Sequence, residues 1–381
     1  MSIVIPKLDK VHTTIESILS TYPGDGPIRC FWPHQIQKNV NEFRRLFAGK
    51  VVYAVKCNPD PCVLEALKEA KITDFDVASI AEIKSIHGWN ADANLYFQHP
   101  VKSRISIRDS YTNYGVRHFS VDHANELEKL LDELPNTREI MVYVRIATPG
   151  LGVTEDLSTK FGASIEEAAR LLESINTTEF RPAMSFHVGS QCYDPQAYAA
   201  ALSMVSETLG RSSVAIGALN IGGGFPANYL GNNVPSLEVY MRQINRGLNS
   251  LSLSPEVEIF CEPGRSLVAD GMSVVARVQL RKGNALYIND GIFGHFLEAY
   301  FHSYRVPARA IRPVEKLSED IESFKVFGPT CDGNDALPGE LELPGDLREG
   351  DWIEFSNMGA YSLALSSGFN GFKTESSIVI C

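Results

Sequence analysis

The sequence predicts an α/β fold, a (β/α)8 TIM-like barrel joined to a C-terminal β-domain, a β-barrel or sandwich, that also takes in the N-terminal segment. Three observations predict it. Short β-rich runs alternate with amphipathic Ala/Glu/Lys/Leu-rich runs from "VVYAVK" to "EIFCEPG", eight β-runs in all. Beyond about residue 268 the helical patterns fade, and strand-like runs are separated by Gly and Pro turns. The length, 381 residues, suits two domains or one large barrel with an appended piece. An open doubly wound sheet is the rival, but it rarely reaches eight regular units.

Taken in order, residues 1–32 precede the first barrel strand. Chain ends often lie close together, so this segment is expected to share the β-domain with residues 269–381, leaving 33–268 as the barrel. The eight barrel strands are "VVYAVK", "FDVAS", "NLYFQ", "HFSVD", "IMVYVRI", "MSFHVG", "ALNIGGG" and "EIFCEPG". Runs such as "PCVLEALKEAK", "HANELEKLLDEL", "SIEEAARLLESI" and "AYAAALSMVSETL" carry apolar residues at helical spacing between them. The β-domain strands fall in "MSVVARVQLRKGNALYIND", "FKVFGPTCD", "DWIEFSN" and "SSIVI".

Composition narrows the function. The chain is 44% hydrophobic and 21% charged, ordinary for a globular protein, and its net charge is −11. An acidic protein repels phosphate backbones and anionic lipid, which argues against nucleic acid and membranes as partners. No apolar run approaches the roughly 18 residues that a membrane span needs. The opening "MSIVIPKLDKVHTT" lacks a basic segment followed by a long apolar one, so no signal peptide is expected. The seven cysteines (Cys30, Cys57, Cys62, Cys192, Cys261, Cys331 and Cys381) are scattered, odd in number and without a C-x-x-C pair. That pattern points to free thiols in the cytoplasm and away from a disulfide scaffold or a zinc site.

A TIM-like barrel carries its chemistry at the C-terminal ends of its strands. Reading only those ends, strand one stops at Lys56 and strand two at Asp76, Ala78 and Ser79. Strand six stops at His187, Gly189 and Ser190, and strand seven at Gly222, Gly223 and Gly224. Strand eight stops at Glu262, Pro263, Gly264 and Arg265. A glycine triplet is as often a tight turn as an anion nest, but Arg265 just beyond the next strand favours a phosphate. Glu262 could simply pair with Arg265, or it could face a protonated ring nitrogen. A lone histidine such as His187 is more often a satisfied core residue, although beside a planar cofactor it would stack on the ring. Lys56 alone would read as a snorkelling surface lysine. A lysine amine, a phosphate cradle and a carboxylate for a pyridinium nitrogen are together the three parts that pyridoxal 5'-phosphate requires.

Longer segments carry a resemblance. "YAVKCN", "FDVASIAEI", "LSTKFG", "SFHVGSQC", "IGGGFP", "EPGRSLVA", "NDGIFG", "GPTCDGNDAL" and "NMGAYSLALSSGFNGF" run from about residue 51 to 373. In that order they resemble the barrel-type pyridoxal phosphate decarboxylases of basic amino acids, closest to ornithine decarboxylase and the bacterial ornithine/lysine decarboxylases. The alanine racemases share the barrel and the lysine, but not "GPTCDG" or "HVGS". The resemblance implies a cytoplasmic homodimer with shared active sites and a small amino acid as substrate. It implies that Lys56 joins the cofactor aldehyde covalently, Glu262 keeps the pyridine nitrogen protonated and His187 stacks on the ring. Ser190, the amides of Gly223 and Gly224, Gly264, Arg265 and Tyr361 would hold the phosphate end, with Asp76 and Glu82 near Lys56 and the ring. Cys331 would return a proton to Cα and Asp332 would receive the distal ammonium of the substrate, both from the partner subunit. Lys160 and Asp335 match a pair that bridges the dimer, and Phe369 an interface aromatic beside the substrate.

One position departs from the family. Counting on from "NDGIFG", His302 stands where members place an acid for the distal amine, unless a slip of a few residues makes Glu298 that acid. A histidine is at best half charged near neutral pH and does not replace a carboxylate toward an ammonium. The expected reaction is decarboxylation of a basic L-amino acid, with ornithine to putrescine and CO2 first. Lysine, arginine or a modified diamino acid are alternatives in the same class. Diaminopimelate is disfavoured for want of a group to meet its second carboxylate. A non-catalytic regulator and a racemase are the readings from other classes. Lys56, Glu262, Arg265 and Cys331 together speak against the regulator, and Cys331 stands where a racemase would need a second base such as tyrosine.

Overall fold

The computed structural model describes residues 14–372 and the backbone of 377–380. The opening stretch on which the signal-peptide expectation rests, and Cys381, lie outside the described residues. After β1 (Ile28–Phe31) the chain enters a parallel barrel. Its strands are β2 (Lys50–Val51), β3 (Tyr53–Ala54), β4 (Asp74–Val77), β5 (Asn94–Phe97), β6 (His118–Val121), β7 (Met141–Ile146), β8 (Arg181–Phe186), β9 (Ala218–Asn220) and β10 (Glu258–Cys261). β2 and β3 are two halves of one strand, interrupted at Val52, whose N–H donates to the Cys261 carbonyl at 2.9 Å. β2 pairs with β10 and β3 with β4, and this closes the circle. All eight β-runs of the sequence reading are present, each followed by a helix, the last only Arg265–Val268.

Local chemistry sets the helix starts. Asp60 accepts from the Cys62 N–H ahead of a helix that opens on Pro61, which has no N–H to leave unpaired. Ser79 caps Ile80–Trp89 by accepting from the Glu82 N–H. Ser164 and Glu167 form a reciprocal capping box at Ile165–Asn176, whose Ala168, Leu171, Leu172 and Ile175 are buried against the barrel.

Inside the barrel the two-residue period of the strands decides what lies where. Val52, Tyr96, Met141, Tyr143, Ala183, Ala218 and Phe260 fill the N-terminal half of the lumen as a cluster of their own. Two residues further along the same faces come Gln98 after Tyr96, Arg145 after Tyr143, Ser185 after Ala183, Asn220 after Ala218 and Glu262 after Phe260. The alternation that plugs one end of the barrel with apolar rings therefore lines the other end with polar groups.

The second sheet contains β11 (Met272–Lys282), β12 (Ala285–Ile288), β13 (Ala308–Ile311), β14 (Ile321–Phe327), β15 (Leu341–Pro344), β16 (Trp352–Phe355) and β17 (Ser377–Ile380), in the order β13-β16-β11-β12-β14-β15. β1 pairs antiparallel with β11 and parallel with β17, so both ends of the described chain join this sheet. A register shift between Val278 and Leu280 lets the long β11 leave β16 and continue against β12. Val274, Ala276, Phe324, Ile353 and Phe355 belong to one of its buried clusters, while Ile28, Cys30, Val275 and Trp352 pack with the Ile15–Leu19 helix in another. No helix among the described residues is long and apolar enough to cross a membrane.

Candidate active site

A cavity of about 510 Å³ opens at the C-terminal end of the barrel. Lys56, Asp76, His187, Ser190, Gly224, Glu262, Gly264, Arg265, His302 and Tyr361 all line it. Sequence reading placed Lys56 at the end of a strand. The strand instead stops at Ala54, and Lys56 lies in a short 3-10 turn, Val55–Cys57, where the chain bends from strand to helix. Its Nζ donates to Asp76 Oδ2 at 2.8 Å. Although 42% of the Lys56 side chain is accessible, the amine lies on the cavity wall, and access to it runs through the cavity. Burial alone would lower its pKa, but Asp76, Tyr361 and Glu262 outweigh that and hold the ammonium well above the ordinary lysine value.

Glu262 is buried and accepts from Asn220 Nδ2 at 2.7 Å. Burial, and next the negative charge of Asp76, push its carboxyl up to about 8 against the opposing pull of Lys56. Such a carboxyl is short of positive charge and would be stabilised by a cation placed in the cavity. His187 follows β8, and its Nδ1 accepts from the Gly189 N–H at 3.1 Å. Burial, then Arg145 and Lys56, depress its pKa well below the usual histidine value, so it presents a neutral ring. Glu82 reaches back to the Ala78 N–H at 2.7 Å beside the cavity, and burial raises its carboxyl.

The remaining wall is built for an anion. Gly222 and Gly224 have φ of +66° and +103°, which only glycine adopts cheaply. A Cβ on Gly223 would stand 2.6 Å from the Glu262 carbonyl and 3.0 Å from His187 Nε2. Among the described residues neither the Gly223 nor the Gly224 N–H has an acceptor. Arg265 is buried and lies 4.9 Å from the centroid of the Tyr361 ring, itself held at φ +56°. On the cavity wall, Gln98 Nε2 and Ser185 Oγ are buried without a partner. Free amides, two unpartnered polar atoms, an amine and a carboxyl short of positive charge fit pyridoxal phosphate.

Comparison with known proteins decides the family. The pyridoxal-binding domain of the pyridoxal-dependent decarboxylases matches residues 33–269, and their C-terminal sheet domain matches 269–359. This chain belongs to the pyridoxal-dependent decarboxylases. It is 32% identical to the ornithine decarboxylase of Schizosaccharomyces pombe over 85% of this chain and 76% of that one. It is also 32% identical to antizyme inhibitor 2 of Xenopus laevis over 96% of this chain and 83% of the relative. The lysine/ornithine decarboxylase of Vibrio vulnificus, solved with putrescine, superposes with a TM-score of 0.83 at 29% identity, covering 96% of this chain and 97% of that one. The decarboxylase described here is therefore a pyridoxal phosphate-dependent carboxy-lyase with a barrel and a C-terminal sheet domain.

Not every expected residue meets in that cavity. Within one chain Cys331, Asp332 and Phe369 lie apart from it. Asp332 lines a separate concavity of about 760 Å³ on the β-domain. Cys331 is exposed and donates its N–H to Asn370 Oδ1 at 3.0 Å, while the Phe369 ring lies 4.8 Å from Phe293. Asp335, matched above to a pair with Lys160 across the dimer, has partners within its own chain. It is buried, and its carboxylate accepts from the Ile292 N–H at 2.9 Å, the Thr330 N–H at 3.0 Å and the Thr330 hydroxyl at 2.6 Å. The loop that carries Cys331 needs an acceptor at its base, and Asp335 provides it. Glu298 does not stand free for a distal amine, because it is paired with Arg265. Sequence reading missed Gln98, Arg145, Ser185 and Asn220. Continuing the two-residue period of each strand would have found them, and a charged residue within "YVRI" marks Arg145 directly.

Proposed function

We propose that this decarboxylase acts on a basic L-amino acid, first of all ornithine to give putrescine and CO2, at a site completed by a second copy of the chain. The observation that carries this reading is the cavity in which Lys56, Asp76, Glu262 and His187 converge beside an anion-binding wall. Bound there, pyridoxal phosphate supplies an electron sink for the pair released when the substrate loses its carboxylate. Lys56 would be the amine that holds the cofactor aldehyde, and Asp76 keeps its Nζ placed. Glu262 would hold a proton on the ring nitrogen through its negative charge, and Asn220 fixes the Glu262 carboxylate. The neutral His187 ring offers a flat face without adding charge. Ser190, Gly223, Gly224, Gly264, Arg265 and Tyr361 would take the phosphate end.

Cys331 and Asp332 would serve the partner's cavity, the thiol as proton donor to Cα and the carboxylate as acceptor for the distal ammonium. Their separation from Lys56 within one chain supports a dimer, as does the exposure of Phe369 and Phe372 beside them. Complementation tests this. Mixing Lys56→Ala and Cys331→Ala proteins, each defective alone, should restore activity toward about a quarter of wild type, because mixed dimers hold one intact site. Failure to complement in a verified mixed dimer removes the shared site.

A second reading has its own support. The cavity wall that would meet the distal end of the substrate carries Phe301 and His302, and the nearby Glu298 is engaged by Arg265. That supports, as alternatives, substrates whose distal end differs from that of ornithine: lysine, arginine or a less basic modified diamino acid. A CO2-release screen across these substrates decides between them. The antizyme inhibitor likeness keeps a regulatory role as the outcome if none is turned over. The cytoplasm is the compartment proposed, since Cys57, Cys62, Cys192, Cys261 and Cys331 are free thiols.

A further inference from the structure

Arg265, the guanidinium expected to take the cofactor phosphate, already has an anion. Its Nη1 donates to Glu298 Oε2 at 2.9 Å and to the Tyr229 hydroxyl at 3.0 Å. Its Nη2 donates to Glu298 Oε1 and to Ser190 Oγ at 3.2 Å. All four terminal N–H groups are thereby used, and the fork-to-fork pairing with Glu298 is the strongest arrangement a guanidinium makes. Both partners are buried, with side chains 4% and 10% accessible, so water screens neither. The other Lys/Arg side chains on the cavity wall are Lys56, held by Asp76, and Arg145, which faces Glu262 and Asp76. The phosphate end therefore has no net positive charge of its own, only the free amides of Gly223 and Gly224.

We propose that Glu298 is an internal competitor for the phosphate site, a carboxylate that neutralises Arg265 and lowers the affinity of the apoprotein for phosphorylated ligands. A phosphate dianion entering this end meets a carboxylate already in place, and the two anions repel across one guanidinium. Loading the cofactor then requires Arg265 to release Glu298 or share its fork. Glu298 acts on the phosphate, while the aldehyde end belongs to Lys56, whose partner is Asp76. The inference rests on the cofactor lying in this cavity.

Equilibrium titration of the apoprotein with pyridoxal phosphate and with pyridoxal, followed by absorbance, tests it. Glu298→Gln keeps the shape and removes the charge. It should bind pyridoxal phosphate at least about tenfold more tightly than wild type, because one unit charge removed at contact range in a poorly screened site is worth more than a factor of ten. Its affinity for pyridoxal should not change. Glu298→Ala carries the same expectation should the glutamine protein fold poorly, as judged by near-UV circular dichroism. Unchanged or weaker binding of pyridoxal phosphate overturns the proposal, as does an equal gain for both aldehydes. A wild type that binds neither aldehyde overturns the cofactor site itself, which is a different result.

Discussion

Two lysine–aspartate pairs tie the first barrel strand and the turn that follows it to β4, one at each end of the lumen. At the N-terminal end Lys50 Nζ lies 3.4 Å from Asp74 Oδ1, and at the C-terminal end Lys56 Nζ lies 2.8 Å from Asp76 Oδ2. Both lysines are 42% accessible, and both aspartates are buried. Their surroundings differ. Around Lys50 the polar groups satisfy one another: Lys50 donates to the Tyr96 hydroxyl, Tyr96 donates to Asp74, and His118 pairs with the Tyr143 hydroxyl. Both lysines have room beside them, a concavity of about 310 Å³ at Lys50 and one of about 510 Å³ at Lys56, but the one at Lys56 also holds the unpartnered Gln98 and Ser185 atoms and a carboxyl pushed up by burial and by Asp76. An ion pair at a strand end is thus no sign of a site by itself. Unused donors and room beside them are, and in this fold they collect at the end where the loops leave the strands.

The largest expected effect separates the two lysines. Lys56→Ala should lower decarboxylation by about 10⁴-fold or more, as losses of a covalent catalytic group do. Borohydride reduction of the loaded protein should place the phosphopyridoxyl label on Lys56 and leave Lys50 bare by peptide mass spectrometry. Label on Lys50 would reverse the comparison. Next, Glu262→Gln should cost about 10³-fold in kcat with the cofactor still bound, while Glu258→Gln, near Lys50 at the other end, should leave kcat unchanged. Cys331→Ala should slow turnover by about 10²-fold or divert products, without loss of the bound cofactor.

A smaller effect is visible in stability. The folded-state pKa of Glu262, about 8, lies above its usual 4.5, so the folded apoprotein binds the extra proton and loses stability as pH rises between these values. The buried His187 is depressed below 6.5 and acts in the opposite sense only beneath that pH. Thermal melts of the apoprotein should therefore fall from pH 6.5 to 8, and Glu262→Gln should flatten that slope. A slope unchanged in the variant assigns it elsewhere. Last, Lys50→Ala should cost about 1 kcal/mol or less in urea melts, as half-exposed pairs do, with kcat unaffected.

Much of this was legible in the chain. The eight-fold alternation of "VVYAVK" through "EIFCEPG" specifies the barrel, because strand and helix periods are local properties of consecutive residues. The rule that chemistry gathers at strand ends brings Lys56, Asp76, His187, Glu262 and Arg265 together from the sequence alone. Gln98, Arg145, Ser185 and Asn220 were missed, since they sit inside runs that read as buried strand. Their exposure to the cavity follows from closure of the barrel, which no single run announces.

By itself, then, the sequence determined the two architectures, the shared sheet of the chain ends and the set of reactive side chains at the barrel mouth. Those rest on short-range periodicity and on turn chemistry. Only the tertiary structure decided the partners: Arg265 takes Glu298, 33 residues away, and Asp335 turns inward to hold the Thr330 loop. The reason is physical. Which anion a buried guanidinium takes depends on distances between elements that meet only after folding, and at 3 Å in a dry site that choice outweighs anything local spacing encodes.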